Sequence, residues 1–360
     1  MGYRSSVRLV SAGRTRSVQF VFARECLNLN QEWPYGLCVL ESAADPVPEF
    51  RSSGTGPTTG SSPPAAASLI YDFQSTASSN VIGIFSATAS GDAAPEATLV
   101  LPTDVHPEAL VTDSTGQIYV GGQGNMGDVV LVYPSGATGS ATPSRTIIVF
   151  SAPSGIAVDA TGLLYVGGVG TDGAPQVDVY SATATGSSAP LRSLATLGIQ
   201  TITALTTDSS GNLYVAGPNP SNDGYISIYP PGTSGSATPS RTIQSDFNFY
   251  GLTVDVKGDL FATTDGPNEV QLVEYSTSAS GEAVPITTFT LAAPVDEEPF
   301  IGSVVQDAAG NFYFAASVLT SRVAQPAMTI YTLAPGFSST SSPVRTLSPT
   351  TSSQVEIAVH

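Results

Sequence analysis

An all-β fold, a six-bladed β-propeller of four-stranded antiparallel blades, is predicted by three observations: one phrase repeated five times, a second repeated six times, and a C-terminus that completes the first blade. The first phrase reads "GIAVDATGLLYVGG" from Gly155, "ALVTDSTGQIYVGG" from Ala109, "ALTTDSSGNLYVAG" from Ala204, "GLTVDVKGDLFATT" from Gly251 and "SVVQDAAGNFYFAA" from Ser303. Its hinge aspartates, Asp113, Asp159, Asp208, Asp255 and Asp307, are spaced by 46, 49, 47 and 52 residues. A fixed period of about 45 residues marks stacked supersecondary units.

The hinge has a local cause. An aspartate at the first turn position accepts hydrogen bonds from backbone N–H groups two residues on, and glycine at the fourth allows the exit of a type I turn. The flanking runs, such as "GIAVD" and "LLYVGG", are short, β-branched and aromatic, so each phrase reads as an antiparallel hairpin. In the second phrase an aromatic residue precedes a proline by ten positions: Phe85, Tyr133, Tyr180, Tyr229 and Tyr275, with Leu333 in the sixth copy. Its Gly and Pro residues confine it to a loop with short strands on both sides, such as "QVDVY" and "RSLAT". A unit is then four strands, which is a propeller blade. The first copy, "SLIYDF" from Ser68, lacks a strand before it, and the final "VEIAVH" from Val355 matches the inner strand of the others. The last six residues are therefore expected inside the blade of residues 69–101, closing the ring without an open edge.

Residues 69–360 form the propeller in this reading, and residues 51–68 are a Gly/Ser/Pro linker. Residues 1–50 are expected to be a leader foreign to the fold, without a clean secretory signal. Six of the twelve basic residues and both cysteines, Cys26 and Cys38, lie before residue 60, and the spacing leaves open whether the cysteines pair. The net charge of −17 argues against nucleic acid, which needs clustered Lys and Arg. No apolar run approaches the ~18 residues of a membrane span. A monomer is expected, working outside the cytoplasm (periplasmic or secreted).

"PSGIAVDATGLLYVGG…QVDVY" resembles an NHL repeat: a proline, Gly-hydrophobic-Ala-Val-Asp, a Gly turn, Tyr-Val, then a hydrophobic run. The resemblance covers nearly all of residues 69–360 and implies a propeller of the TolB-like class, a group that includes binding platforms and some enzymes. Members often carry Asp after the Tyr-Val pair, where this chain has Gly121, Gly167 and Ala216, so any role of that aspartate is absent here.

Common catalytic signatures are missing: no Gly-x-Ser-x-Gly elbow, no His-Glu-x-x-His, no Cys-x-x-Cys, no phosphate loop, and only two histidines. The gluconolactonase-type propellers, similar in fold, hold a divalent cation with Glu, Asn and Asp just before the innermost strands. The matching positions here are Glu108, Ser154, Thr203, Tyr250, Gly302 and Val355, so that triad is not reproduced. Around the closing blade, however, the sequence supplies Asp104, His106, Glu108, Asp296, Glu297, Glu298 and Glu356. Carboxylates converging on a narrow channel suit Ca²⁺ or another hard divalent cation, with Glu108, Glu356, Asp296, Glu297 and Glu298 as ligands and His106 as base. Tyr250 and Phe249 would add an apolar wall. Two functions remain open: a binding or scaffold module taking a small-molecule or protein ligand at one face, and a metal-dependent hydrolase of the lactonase, arylesterase or phosphotriesterase kind.

Overall fold

In the computed structural model the chain divides into two units, Met1–Ser62 and Pro63–His360. The structure describes residues 4–11, 14–21, 68–75, 79–125, 127–150, 152–266, 269–292, 300–317, 328–349 and 352–360. In the first unit, β1 (Arg4–Ser11) and β2 (Arg14–Val21) pair as an antiparallel hairpin that the repeat pattern gave no reason to expect.

The second unit holds 24 strands in six four-stranded sheets. The first blade contains β3 (Leu69–Ser75), β4 (Asn80–Ser86) and β5 (Ala97–Val100). The second runs β6 (Val105–Thr112), β7 (Ile118–Gly124), β8 (Gly127–Tyr133) and β9 (Arg145–Ile148). The third is β10 (Gly155–Val158), β11 (Leu164–Val169), β12 (Pro175–Tyr180) and β13 (Arg192–Ala195). The fourth is β14 (Ala204–Thr207), β15 (Leu213–Pro218), β16 (Gly224–Tyr229) and β17 (Arg241–Ser245). The fifth is β18 (Phe249–Val254), β19 (Leu260–Gly266), β20 (Glu269–Tyr275) and β21 (Thr287–Ala292). The sixth is β22 (Phe300–Gln306), β23 (Phe312–Ser317), β24 (Thr329–Leu333) and β25 (Arg345–Leu347).

The final strand, β26 (Ser352–Val359), pairs antiparallel with β3 and supplies the inner edge of the first blade, as the C-terminal phrase predicted. His360 occupies the hinge position there and exchanges backbone hydrogen bonds with Leu69 in both directions. The inner strands β6, β10, β14, β18, β22 and β26 touch in that cyclic order, so the ring is closed.

The hinges fold as their chemistry dictates. In each of the five turns the Asp Oδ1 accepts from the backbone N–H groups two and four residues on, such as Thr161 and Leu163 for Asp159. Burial alone would raise the Asp113 carboxyl, but the hydrogen bonds from Thr115, Gln117 and Tyr119 outweigh it and hold the pKa below the usual value.

Apolar side chains between adjacent sheets make the core, one cluster for each of the six seams. Gly121 and Gly167 are small for a reason: a Cβ at Gly121 would lie 2.9 Å from Pro153, and one at Gly167 would lie 2.5 Å from Leu205. A side chain at either position would force its neighbours to move.

Candidate functional site

The inner strands wall a central cavity of about 210 Å³. The pairing registers place Ala109, Gly155, Ala204 and Gly251 at one level of the ring, and Glu356 and Ser303 join them next to Ile357 and Val304, each within an irregularity of its strand. Small residues at this level leave space, and Glu356 supplies the only carboxyl among the described residues that line it. The Glu356 carboxyl is pushed up to about 7, because burial inside the ring strips its water, while a hydrogen bond from Ser303 pulls the other way. Ser303 in turn accepts from the Ile357 N–H at 2.8 Å, which fixes the hydroxyl beside the carboxyl.

The other expected residues are placed differently. His106 and Glu108 lie within the innermost strand β6, not in the loop before it, and a bulge between Pro107 and Ala109 sets Glu108 off the ladder. Glu108 Oε1 accepts from Gln123 Nε2 at 2.7 Å, within its own blade, and Glu108 is not among the residues that line the cavity. Its carboxyl is raised, first by burial and then by Asp128, with Gln123 and His106 opposing. His106 is exposed and sits opposite Gln123. Asp104 is exposed, whereas Asp296, Glu297 and Glu298 lie outside the described residues. Among the described residues, no three His, Cys, Asp or Glu side chains group closely enough to hold a metal ion. Phe249 is fully buried in the core between the fourth and fifth blades, while Tyr250 lines the cavity and donates to Asp265 at 3.2 Å.

One set of functional groups was missed from sequence. Each hinge aspartate of the second, third, fourth and sixth blades accepts, on Oδ2, the hydroxyl of a tyrosine: Tyr119, Tyr165, Tyr214 and Tyr313, at 3.1, 3.1, 3.2 and 2.9 Å. Each tyrosine meets an arginine of its own outer strand: Arg145, Arg192, Arg241 and Arg345. The signal was present, since an arginine recurs twelve residues after Tyr133, Tyr180, Tyr229 and Leu333 of the second phrase. The hinge carboxylates of Asp113, Asp208 and Asp307 are thus occupied by structural donors on both oxygens, whereas Asp159 Oδ2 accepts from Tyr165 alone.

No protein-family model matches the sequence, and none of the curated proteins does. Solved structures do. A Bacteroides caccae protein of unknown function superposes with TM-score 0.53 at 11% identity, covering 82% of this chain and 99% of that one. A chain of a nidogen/laminin complex superposes with TM-score 0.54 at 14% identity, covering 81% and 98%. At such identities the likeness is one of fold, the six-bladed propeller. No helix among the described residues is long and apolar enough to cross a membrane.

Proposed function

We propose that this propeller is a binding or scaffold module, of the NHL-like kind and working outside the cytoplasm, whose ligand enters the central channel at Glu356. The observation that supports it is the cavity itself: six inner strands around about 210 Å³, with the small residues Gly155, Ala204, Gly251 and Ser303 leaving room before one carboxyl. A cavity of this size admits a small molecule or one projecting side chain of a protein partner, and the Glu356–Ser303 pair offers it a hydrogen-bonding anchor.

A metal-dependent hydrolase is the second reading, favoured by the same channel carboxyl. It needs further ligands from Glu108 or from Asp296, Glu297 and Glu298, with His106 or a bound water as base. The experiment is a metal analysis of the purified full-length protein with and without chelator, beside turnover assays on a lactone, an aryl ester and a phosphotriester. Absence of both metal and turnover is the outcome expected of a binding module. Stoichiometric metal that falls on Glu356→Gln, together with chelator-sensitive turnover, would replace it by the hydrolase.

A further inference from the structure

Two of the seams between blades are bridged by arginines, and Arg192 stands at such a seam with donors to spend. Arg145 Nη1 donates to the Ala182 and Ala184 carbonyls of the next blade at 2.7 and 3.2 Å, and Arg241 Nη1 donates to the Ala279 carbonyl at 2.8 Å. Arg192 stands at the same position of the third blade but has one hydrogen bond, from Nη2 to the Tyr165 hydroxyl at 3.3 Å, with its guanidinium 5.8 Å from that ring's centre.

The turn it faces also differs. Ser181–Ala184 and Ser276–Ala279 close with an N–H to carbonyl bond, and their third residues, Thr183 and Ser278, are not left-handed. These are type I turns. The corresponding loop of the fourth blade is Pro230–Thr233, with Pro231 second and Gly232 third at φ 79°, a type II turn. Types I and II differ by a flip of the central peptide, so the Pro231 carbonyl is turned from the direction in which Ala182 meets Arg145.

Beside this turn lies a pocket of about 290 Å³ between the third and fourth blades, lined by Asp159, Thr161, Tyr165, Arg192, Asp208 and Pro231 among others. Arg345, at the closing seam, has an Nε without a hydrogen-bond partner too, but that atom is buried. Arg192 instead opens on this pocket. We propose that the pocket is a second binding site, for a neutral polyhydroxylated ligand such as a hexopyranose unit, held by the Arg192 guanidinium and the hinge carboxylate of Asp159, since Asp208 spends both oxygens on Ser210, Asn212 and Tyr214.

Charge selects the class. One guanidinium against two carboxylates, on a chain of net charge −17, disfavours an anion. Asp159 Oδ1 is saturated by three donors, whereas Oδ2 accepts only from Tyr165 and keeps a lone pair. A ligand must then accept from Arg192 and donate to a carboxylate within a few ångströms. Neighbouring hydroxyls on a sugar ring do both, and the Pro231 ring gives their apolar face a surface.

The test titrates full-length protein with neutral methyl glucoside, galactoside and mannoside, followed by ligand-observed NMR and calorimetry. At least one should bind saturably. Arg192→Gln should weaken it about tenfold or more, as expected on losing a charge-assisted hydrogen bond. Ala160→Trp, which fills the pocket from an exposed position, should abolish it. Arg145→Gln, whose partners are backbone carbonyls, should lower the melting temperature and leave the affinity unchanged. Three results would each overturn the proposal: no saturable binding of any of the three glycosides, affinity unaltered in both pocket variants, or equal loss in Arg145→Gln.

Discussion

Adjacent blades are joined in two different ways around one ring. At five seams a left-handed glycine in the loop before the outer strand bridges to the outer strand of the preceding blade: Gly91 to Leu347, Gly139 to Leu99, Gly186 to Ile147, Gly235 to Leu194 and Gly281 to Ile243. The seam between the fifth and sixth blades has Ser339 at that position, no such bridge among the described residues, and an ordinary φ. The fifth blade also has Phe261 and Thr287 where four others carry the hinge tyrosine and its arginine. In their place stands a cluster of rings: Phe261, Phe289 and Phe312 lie with their centres 6.0, 6.4 and 5.5 Å from Phe337, and Phe314 stacks on Tyr331. Ring packing and a directional hydrogen-bond latch thus serve the same seam position, but only the latch demands glycine.

The largest expected effect tests whether either kind of seam can hold an open ring. Deleting Val355–His360 removes most of the paired part of β26, so β3 becomes an edge and the sixth blade loses its neighbour. We expect loss of cooperative melting or aggregation; melting at the wild-type temperature would show that the latches suffice alone.

Within the aromatic seam, Phe337→Ala should cost about 3–5 kcal/mol by denaturant unfolding, the range for a truncated core phenylalanine. A cost below about 1 kcal/mol would mean that the rings merely fill space left by the missing latch.

The inner ring breaks its own regularity at Glu356, and pH reports it. The folded chain holds this carboxyl near 7 against an ordinary 4.5, so the folded state binds more proton between those values and stability falls as pH rises through them. Glu356→Gln should remove that slope, matching wild type below the window and exceeding it above by up to about 3 kcal/mol. Parallel stability–pH curves for the two proteins would refute a dehydrated carboxyl.

Smaller effects separate the polar seams. Asp159→Ala removes the acceptor of four hydrogen bonds and should cost about 1–3 kcal/mol. Asp255→Ala removes two, with Phe261 in place of the tyrosine, and should cost about 1 kcal/mol less. Equal costs would make the tyrosine bond energetically idle. Last, Gly186→Ala meets open space but keeps φ at 56°, which should cost about 1 kcal/mol, whereas Ser339→Gly should change little.

The blades were legible because their signal is local and periodic: turn chemistry at Asp159 and β-branched runs around it need no knowledge of the third dimension. The closing strand followed from matching "VEIAVH" to "SGIAVD", and its pairing with β3 bears that out. The site was harder to read. Arg192 and Tyr165 are 27 residues apart and meet only through the register of three strands. Glu108 was expected in a loop, but β6 begins at Val105 and a bulge after Pro107 turns the side chain to Gln123. Ser303 joins Glu356 only past an irregularity in β22 that no pattern announces.

The loops that precede the outer strands alternate around the ring. "SAT", "SAT" and "STS" open them in the first, third and fifth blades, and Gly136, Gly232 and Gly336 take positive φ in the second, fourth and sixth. The true repeat is therefore a pair of blades, 95 residues from Asp113 to Asp208 and 99 from Asp208 to Asp307, and the ring has threefold pseudosymmetry. Symmetry of that order fixes valency. The turn opposite Arg192 recurs opposite Ala97 and Thr287, but His360 stands for the hinge aspartate beside the first and Phe261 for the tyrosine beside the second, so side chains alone, on a shared backbone, separate a single-site propeller from a trivalent one.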